Sequence, residues 1–315
     1  MNILFFGTSK FAVPALEALV VAGFTPATVI TLPDRPCGRG LKNTPSPVAL
    51  CAKKLGLPLF QPEKLSYEES IEKLKSFRAG IGVVAAYGKL IPERIIQLFP
   101  KGILNIHPSL LPKFRGPSPI QYAILESEKN KEKTGVTIML VDKELDHGPI
   151  IAQEEENISP NDTAKTLGAR LADRGARLIV KTLPQWLSDS IAPQEQNHTA
   201  TTFTKLILKE DGHIRWNESA EIIERKIRAY ADWPGAFGFV KNANKTIRIK
   251  IIHATVSTQP SQEECGKTLK HNGLPFVVAA SGGIFLNELQ VEGRRTISGE
   301  AFLNGYPWAL GAKFE

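Results

Sequence analysis

An asparagine and a histidine two residues apart end the apolar stretch "GILNIH", and a proline-rich loop follows them directly. In an extended strand, residues i and i+2 point to the same face, so Asn105 and His107 are expected to lie side by side. An aspartate, Asp146, follows a later apolar stretch in "LVDKELDHGPII". An amide offers a neutral donor, an imidazole carries a proton, and a carboxylate keeps the imidazole protonated or accepts a proton itself.

This combination of side chains suits attack on a carbonyl group, because the negative charge that develops on the oxygen needs a donor. No serine or cysteine is evidently placed as a nucleophile, so an amine of the substrate could be the attacking group. Asparagine and histidine near a turn also serve as caps or satisfy core hydrogen bonds. Spacing alone therefore leaves a purely structural role open.

Strands and helices that would position these residues alternate over residues 1–188. Short apolar stretches such as "NILFFG", "GVVAAYG" and "GILNIH" indicate buried strands, and "YEESIEKLKSF" indicates an amphipathic helix. Their alternation predicts an α/β, Rossmann-like open parallel sheet with helices on both faces. Ligands bind such sheets beyond the carboxyl ends of the strands, where "GVVAAYG" and "GILNIH" end. The turn "GTSKF" lacks the G-x-G-x-x-G spacing, so no dinucleotide cofactor is expected.

The pattern changes after residue 188. Residues 189–206 are polar and lack a period, which is typical of a linker. Residues 207–315 contain one helical stretch and then several short runs such as "TIRIKIIHATV", in which apolar and polar residues alternate. We therefore predict a change of architecture here, with a catalytic domain at 1–188, a linker at 189–206 and a small, OB-like antiparallel β-barrel at 207–315.

The composition is that of a water-soluble globular protein, with 42% hydrophobic and 23% charged residues. No apolar stretch approaches the about 18 residues of a membrane span, and the first residues predict a strand rather than a signal peptide. The three cysteines lack the spacing of a metal site or of a disulfide framework, so we expect no metal and a cytoplasmic location. The net charge of +7 indicates a mild preference for polyanions such as RNA.

Longer motifs carry a resemblance to a known family. "NIHPSLLPKFRGPSPIQYAI" followed by "TGVTIMLVDKELDHGPII" resembles the formyltransferase family that uses 10-formyltetrahydrofolate. "PDRPCGRG", "PSPV" and "VVAAYGKLIP" are similar to motifs of those members that formylate methionine on initiator tRNA, and "WNESAEIIERKIRAY" and "WPGAF" extend the similarity beyond residue 206. The resemblance implies formyl transfer from 10-formyltetrahydrofolate, the co-substrate, to the α-amine of initiator Met-tRNA by a cytoplasmic enzyme.

The resemblance also implies roles for individual residues. It places the catalytic asparagine, histidine and aspartate at Asn105, His107 and Asp146. Asn105 and protonated His107 would stabilise the oxyanion, and Asp146 would handle the amine proton. The folate site would comprise two short segments, namely Ser109, Leu110, Leu111 and Pro112, and Tyr87, Gly88, Leu90 and Ile91.

Two basic segments are implied to hold tRNA. Residues 33–47 contain four prolines and two glycines, so we expect no regular structure there, and a mobile loop with solvated charges is an alternative. The family resemblance makes this the loop that enters the acceptor arm, with Arg35, Arg39 and Lys42. The second segment, which could equally be an exposed basic face without a function, comprises Lys241, Lys245, Arg248 and Lys250.

Other functions remain open at this point. The acceptor could be a glycinamide ribonucleotide or an amino sugar on a nucleotide, although a purine enzyme would need no barrel and "PDRPCGRG" argues against a sugar enzyme. The chain could also bind RNA without catalysis, or hydrolyse the folate with water as acceptor. We expect a monomer that does not associate with membranes.

Overall fold

The structure is a computed structural model that describes residues 1–37, 42–127, 133–243 and 245–315. Its strands are Asn2–Gly7 (β1), Thr28–Ile30 (β2), Arg35–Cys37 (β3), Lys42–Thr44 (β4), Leu59–Phe60 (β5), Ala79–Ala85 (β6), Ile103–His107 (β7), Lys133–Leu140 (β8), Ile150–Asn157 (β9), Ala236–Asn242 (β10), Lys245–Ser257 (β11), Thr268–His271 (β12), Leu274–Val278 (β13), Gly283–Val291 (β14) and Thr296–Ser298 (β15). Its α-helices are Val13–Val21 (α1), Pro47–Lys54 (α2), Glu68–Ser76 (α3), Glu93–Ile96 (α4), Pro119–Leu125 (α5), Ala164–Leu187 (α6), Ala220–Ala229 (α7) and Gly299–Gly305 (α8). Single 3-10 turns lie at Lys10–Ala12, His198–Ala200, Lys209–Gly212 and Pro307–Ala309.

The chain forms two compact units that interleave along the sequence. The first comprises Met1–Pro119, Lys131–Asn157 and Gly168–Lys205, and the second comprises Ile120–Asn130, Ile158–Leu167 and Leu206–Glu315. The domain limits at 188 and 207 that the composition suggests stay predictions.

The first unit contains a mostly parallel sheet of seven strands in the order β5-β2-β1-β6-β7-β8-β9. Strands β5, β2, β1, β6 and β7 run parallel to one another, which confirms the predicted α/β class. Strands β8 and β9 depart from the all-parallel expectation, because β8 is antiparallel to both β7 and β9. The central strands are apolar on both faces, as expected where a sheet is covered on both sides.

A glycine lets helix α6 approach strands β7 and β8 of this sheet closely. A Cβ atom at Gly175 would lie 2.6 Å from Cγ2 of Ile106 and 3.3 Å from Cγ1 of Val136. The absence of a side chain therefore brings the helix directly against the strand that carries Asn105 and His107. Two arginines of α6, Arg170 and Arg174, pair with Glu156 of β9 and tie the helix to the sheet edge.

The second unit is an antiparallel sheet in the order β10-β11-β14-β13-β12, with β15 paired to β14. Register shifts at His253 bend β11, whose long span then pairs with both β10 and β14. Helices α7 and α8 contribute Ile223, Ile227 and Phe302 to the apolar core inside the sheet.

The last residues of the chain join the two outer strands of this sheet. Phe314 bridges Val240 of β10, and Lys313 bridges Lys267 just before β12. Backbone hydrogen bonds between Phe239 and Glu315, in both directions, continue this pairing at 2.9 and 2.7 Å. The pairing closes the antiparallel sheet, which agrees with the predicted OB-like barrel.

Candidate functional site

Strand β7 delivers Asn105 and His107 to one face of the sheet. The strand pairs with β6 in parallel and with β8 in antiparallel orientation, and Asn105 and His107 lie opposite Met139 and Thr137 of β8. His107 is only 4% exposed, whereas Asn105 is half-buried. The imidazole therefore lies within the protein, and the neighbouring amide can reach solvent or a ligand.

Asp146 lies against both of these side chains. Its Oδ1 atom accepts a hydrogen bond from Nδ2 of Asn105 at 3.4 Å and lies 3.6 Å from Nδ1 of His107. Its Oδ2 atom accepts from the backbone N–H of Gly116 at 2.8 Å. Two of the three residues that the sequence suggested, Asn105 and His107, thus approach one carboxylate oxygen of the third, Asp146.

The route by which Asp146 reaches this place differs from the expectation. Because β8 runs antiparallel to β7, the rule that places ligands at the carboxyl ends of parallel strands does not account for it. The connection between β8 and β9, residues 141–149, instead returns Asp146 to the face of β7. Asp146 adopts a φ of +49°, a left-handed conformation that non-glycine residues rarely take.

The hydrogen bonds of His107 determine its tautomer. Its Nε2 atom lies 3.0 Å from the backbone carbonyl oxygen of Phe114. A carbonyl oxygen only accepts, so Nε2 carries a proton, and Nδ1 is the nitrogen that faces Asp146. Two bare acceptors would repel each other at this contact. At 3.6 Å the Nδ1 and Oδ1 atoms lie slightly beyond hydrogen-bonding distance, so a small movement of either side chain would bring them into direct contact.

The loop after His107 is held by two polar residues that the sequence reasoning missed. The Thr137 hydroxyl donates to the carbonyl of Ser109 at 2.7 Å and accepts from the N–H of Leu111 at 3.1 Å. The Gln153 side chain donates to the carbonyl of Leu111 at 2.8 Å and to the Thr137 hydroxyl at 2.9 Å. The available signal in the sequence was that Thr137 and Gln153 are polar residues within the strands β8 and β9. That signal did not show that they bind the loop at residues 109–111.

The two segments that were expected to bind folate divide into buried and exposed residues. Ser109, Leu111 and Tyr87 are at most 3% exposed, so their side chains support the loops from within. Burial raises the pKa of the Tyr87 hydroxyl to about 12, so this side chain stays neutral. The residues of these segments that keep accessible surface are Gly88, Leu90, Ile91, Leu110 and Pro112. Leu90 is 72% exposed and offers an apolar surface beyond the carboxyl end of β6.

The first basic segment forms a short hairpin, which corrects the expectation of no regular structure. Strand β3 pairs with β4, with Arg35 opposite Thr44 and Pro36 opposite Asn43. Pro36 itself lies within a paired strand, so the proline-rich composition did not prevent pairing. Arg35 is exposed. Lys42 begins β4, and Arg39 lies outside the described residues.

The second basic segment splits between the two faces of β10 and β11. Cross-strand partners share a face, and the pairs Lys241–Thr246, Phe239–Arg248 and Phe237–Lys250 lie on the same one. Lys245 belongs to the opposite face. The Arg248 guanidinium lies 3.8 Å from the centre of the Phe237 ring, and Lys241 pairs with Glu315 at 2.7 Å. We call the set Lys241, Arg248, Lys250, Phe237 and Phe239 the basic-aromatic face.

Neither a metal site nor a membrane-spanning helix is evident among the described residues. Within these residues, no three histidine, cysteine, aspartate or glutamate side chains are grouped so that they could hold a metal ion. None of the helices in the described part of the chain combines the length and the apolar character that crossing a membrane requires.

Comparisons with known proteins cover nearly the whole chain. Residues 1–183 match the family described as formyl transferase, and residues 206–307 match the formyl transferase C-terminal domain. A methionyl-tRNA formyltransferase of Chloroflexus aurantiacus is 43% identical over 307 residues, which are 97% of this chain and 97% of that protein. A methionyl-tRNA formyltransferase of Solibacter usitatus is 40% identical over 97% of this chain and 96% of its own.

Solved structures share the fold at lower sequence identity. The N-formyltransferase of Helicobacter canadensis, in complex with folinic acid and dTDP-3-aminofucose, has a TM-score of 0.66 and 20% identity, covering 91% of this chain and 98% of its own. A sugar 3N-formyltransferase, WlaRD, has a TM-score of 0.66 and 19% identity, covering 94% and 99%. At this identity the likeness concerns the fold alone. The two family matches and the long alignments at 40% identity and above establish that the chain belongs to the formyl transferase family.

Proposed function

We propose that the protein transfers the formyl group of 10-formyltetrahydrofolate to the α-amine of methionine on initiator tRNA, which gives N-formylmethionyl-tRNA. The observation that carries the proposal is the convergence of Asn105 and His107 on one carboxylate oxygen of Asp146. The acceptor is inferred from the relatives named methionyl-tRNA formyltransferase, which align over almost all of this chain. A role in translation initiation implies a cytoplasmic location, and we propose that the enzyme acts as a monomer.

The reaction requires a neutral amine, a stabilised oxyanion and a route for one proton. The methionine nitrogen attacks the formyl carbon, and the formyl oxygen takes the negative charge. Asn105 can donate to this oxygen because its amide carries two protons and only one is directed at Asp146. A protonated His107 beside it supplies positive charge in a site shielded from water, where such charge acts strongly.

Asp146 is the proposed proton acceptor of the attacking amine. The amine nitrogen must lose a proton once its bond to the formyl carbon has formed, and the half-buried carboxylate takes it directly or through water. The intermediate then collapses as the bond between the formyl carbon and N10 breaks, and N10 receives a proton. The products are N-formylmethionyl-tRNA and tetrahydrofolate, so no oxidant or further reactant is needed.

The folate co-substrate would bind beside the ends of β6 and β7. A pterin ring has apolar faces and an edge of donors and acceptors, so it needs apolar side chains on its faces and free backbone groups at its edge. The exposed side chain of Leu90 and the accessible Gly88 meet these requirements. Leu110, Pro112 and Ile91 complete the proposed surface, with Ser109, Leu111 and Tyr87 as its internal support.

The tRNA would contact basic residues in each of the two units. Arg35, Arg39 and Lys42 belong to the hairpin segment of the first unit, and arginine suits this task through bidentate phosphate contacts and stacking on bases. On the basic-aromatic face, Arg248 and Lys250 can neutralise phosphates. Lys241 is held by Glu315, and Lys245 lies on the other face, so we assign these two a smaller share.

A comparison of acceptors tests this function. The enzyme is incubated with 10-formyltetrahydrofolate and, in separate reactions, initiator Met-tRNA, elongator Met-tRNA, an amino-sugar nucleotide or buffer alone. We expect N-formylmethionyl-tRNA from the initiator species and a much lower rate with the other acceptors. Faster formylation of the amino-sugar nucleotide would show that the sugar, and not the tRNA, is the acceptor. Binding of tRNA without any formylated product would indicate an RNA-binding protein without catalysis.

A further inference from the structure

A buried amide connects Arg115 to the backbone around Asp146. The side-chain oxygen of Gln196 accepts from Nε of Arg115 at 3.1 Å and from its Nη2 atom at 2.7 Å. The side-chain nitrogen of Gln196 donates to the carbonyl of Asp146 at 2.9 Å and to that of Gly148 at 2.7 Å. Arg115 and Gln196 are each only 4% exposed, so water does not compete for these bonds.

Chemistry fixes the orientation of this amide. A guanidinium only donates, so the oxygen of Gln196 must face Arg115. The nitrogen then faces the two carbonyls, which only accept. Each proton of the amide therefore has one partner, and no other arrangement of Gln196 satisfies all of these groups.

One of these two carbonyls belongs to the strained residue of the site, Asp146, and the other lies two residues further on. A left-handed φ at a non-glycine residue costs on the order of 1–3 kcal/mol and persists only where the surroundings hold it. At Asp146 the carbonyl is held by Gln196 and the carboxylate by the N–H of Gly116. The bond to Gly148 fixes the chain two residues further on, so the side chain of Asp146, its carbonyl and the backbone after it are all held.

Arg115 is itself held firmly. Its backbone N–H donates to the carbonyl of Thr202 at 2.9 Å, and its carbonyl accepts from the N–H of Thr204 at 2.7 Å. Its Nη2 atom also lies 2.9 Å from Nδ1 of His198, which must accept there. Desolvation lowers the pKa of Arg115, and attraction to Asp146 opposes this shift, so the guanidinium stays charged. The polar segment 194–204 thus anchors the loop that precedes helix α5.

We propose that Arg115 and Gln196 are positioning residues that hold Asp146 in its left-handed turn, so that its carboxylate faces Asn105 and His107. This inference rests on the proposed formyl transfer. Neither residue is needed to touch the substrate, because both act through Asp146. Loss of the support would move the carboxylate away from its partners, and a misplacement of about 1 Å in a catalytic group can cost about 10²-fold in rate.

Replacing Gln196 by glutamate tests the connection. In Gln196→Glu one oxygen still accepts from Arg115, but the other faces two carbonyls without a proton. We expect kcat to fall about 10²-fold, with KM for 10-formyltetrahydrofolate changed less than about threefold. Gln194→Glu is the matched control, because Gln194 is exposed and only its backbone pairs with Ile150. This control should retain the wild-type kcat.

A second variant and a second readout cover the case in which Gln196→Glu fails to fold. Arg115→Lys keeps the charge but cannot donate to Gln196 and His198 as a fork, so kcat should again fall with little change in KM. The ¹⁵N signals of the His107 ring report the position of Asp146 in the enzyme alone, without tRNA and without turnover. They should shift in Gln196→Glu and Arg115→Lys and remain unchanged in Gln194→Glu.

The outcomes separate the two proposals. If wild type and Gln194→Glu transfer no formyl group to initiator Met-tRNA, the proposed function fails, and the His107 signals alone decide the positioning role. If those two proteins are active and Gln196→Glu and Arg115→Lys match them in kcat and in their His107 signals, the positioning role is wrong. A rise in KM with kcat unchanged would also overturn it, because it would indicate a binding role instead.

Discussion

The carboxylate of Asp146 lies at the centre of the proposed site. One of its oxygens faces Asn105 and His107, and the other accepts from Gly116. An amide in its place would keep the shape and could still accept from Gly116. It could not accept the amine proton, and its NH2 group would face the Asn105 amide, so the substitution removes the proton acceptor together with one hydrogen bond.

Asp146→Asn should therefore lower kcat by about 10²–10⁴-fold, the usual contribution of a general base. The affinity for 10-formyltetrahydrofolate should change less than about threefold, since the proposed folate surface does not include this residue. Steady-state rates with initiator Met-tRNA and equilibrium folate binding measure the two quantities. Asp142→Asn is the matched control in the same loop, because Asp142 contacts His147 and the N–H of Glu144. A near-normal kcat in Asp146→Asn would exclude the proton-accepting role.

Among the elements, helix α6 packs against β7 through the close approach of Gly175 to Ile106. Gly175→Ala adds a methyl group 2.6 Å from Ile106. Overpacking of about 1–3 kcal/mol should exceed the about 1 kcal/mol that alanine adds through helix propensity. The melting temperature should fall by several degrees, as scanning calorimetry would detect. Gly305→Ala in α8, where the new Cβ meets no atom within 4 Å, should not destabilise the protein. A Gly175→Ala protein as stable as wild type would show that the close approach is not required.

The contact between β9 and α6 should depend on pH. Desolvation raises the pKa of the Glu156 carboxyl, but hydrogen bonds from Arg174 and Arg170 outweigh it, and the pKa lies below its ordinary value of 4.5. The unfolded chain binds this proton more readily, so the contribution to stability is present above pH 4.5 and is lost as the pH falls through the lower, folded pKa. Thermal unfolding of Glu156→Gln should therefore vary less with pH below 4.5 than that of wild type. Parallel curves for the two proteins would contradict this linkage.

Periodicity predicts the strands β1, β6 and β7 because their apolar pattern is local. It does not predict that β8 is antiparallel, because a strand, a helix and a strand in succession usually form a parallel crossover. Here the intervening residues Ile120–Asn130 belong to the second unit, so α5 is not a crossover helix of the first sheet. Residue type and family resemblance were enough to predict that Asn105, His107 and Asp146 belong to the site. Gln196 was not, because it lies in a polar segment without a period and bonds to a residue 81 positions away.

At the scale of the whole molecule, the net charge of +7 should make tRNA binding sensitive to salt. The double variant Arg248→Gln/Lys250→Gln removes two phosphate contacts, so the slope of log K against log salt should flatten by about 2. Binding titrations at several salt concentrations give this slope, and melting temperatures show whether the loss of the Arg248–Phe237 contact affects folding. Lys75→Gln/Lys133→Gln removes the same charge from exposed ion pairs and should leave the slope nearly unchanged. Equal slopes for both double variants would exclude the basic-aromatic face as a contact surface for tRNA phosphates.

The destination of the formyl group tests the central claim most directly. The enzyme is mixed with 10-formyltetrahydrofolate that carries ¹³C in the formyl group and with initiator Met-tRNA, and both products are quantified by mass spectrometry. We expect the label on the methionine amine in one-to-one ratio with the tetrahydrofolate formed, and almost no product from Asp146→Asn. Release of the label as formate, with methionine unmodified, would contradict formyl transfer to the tRNA and would identify the reaction as hydrolysis.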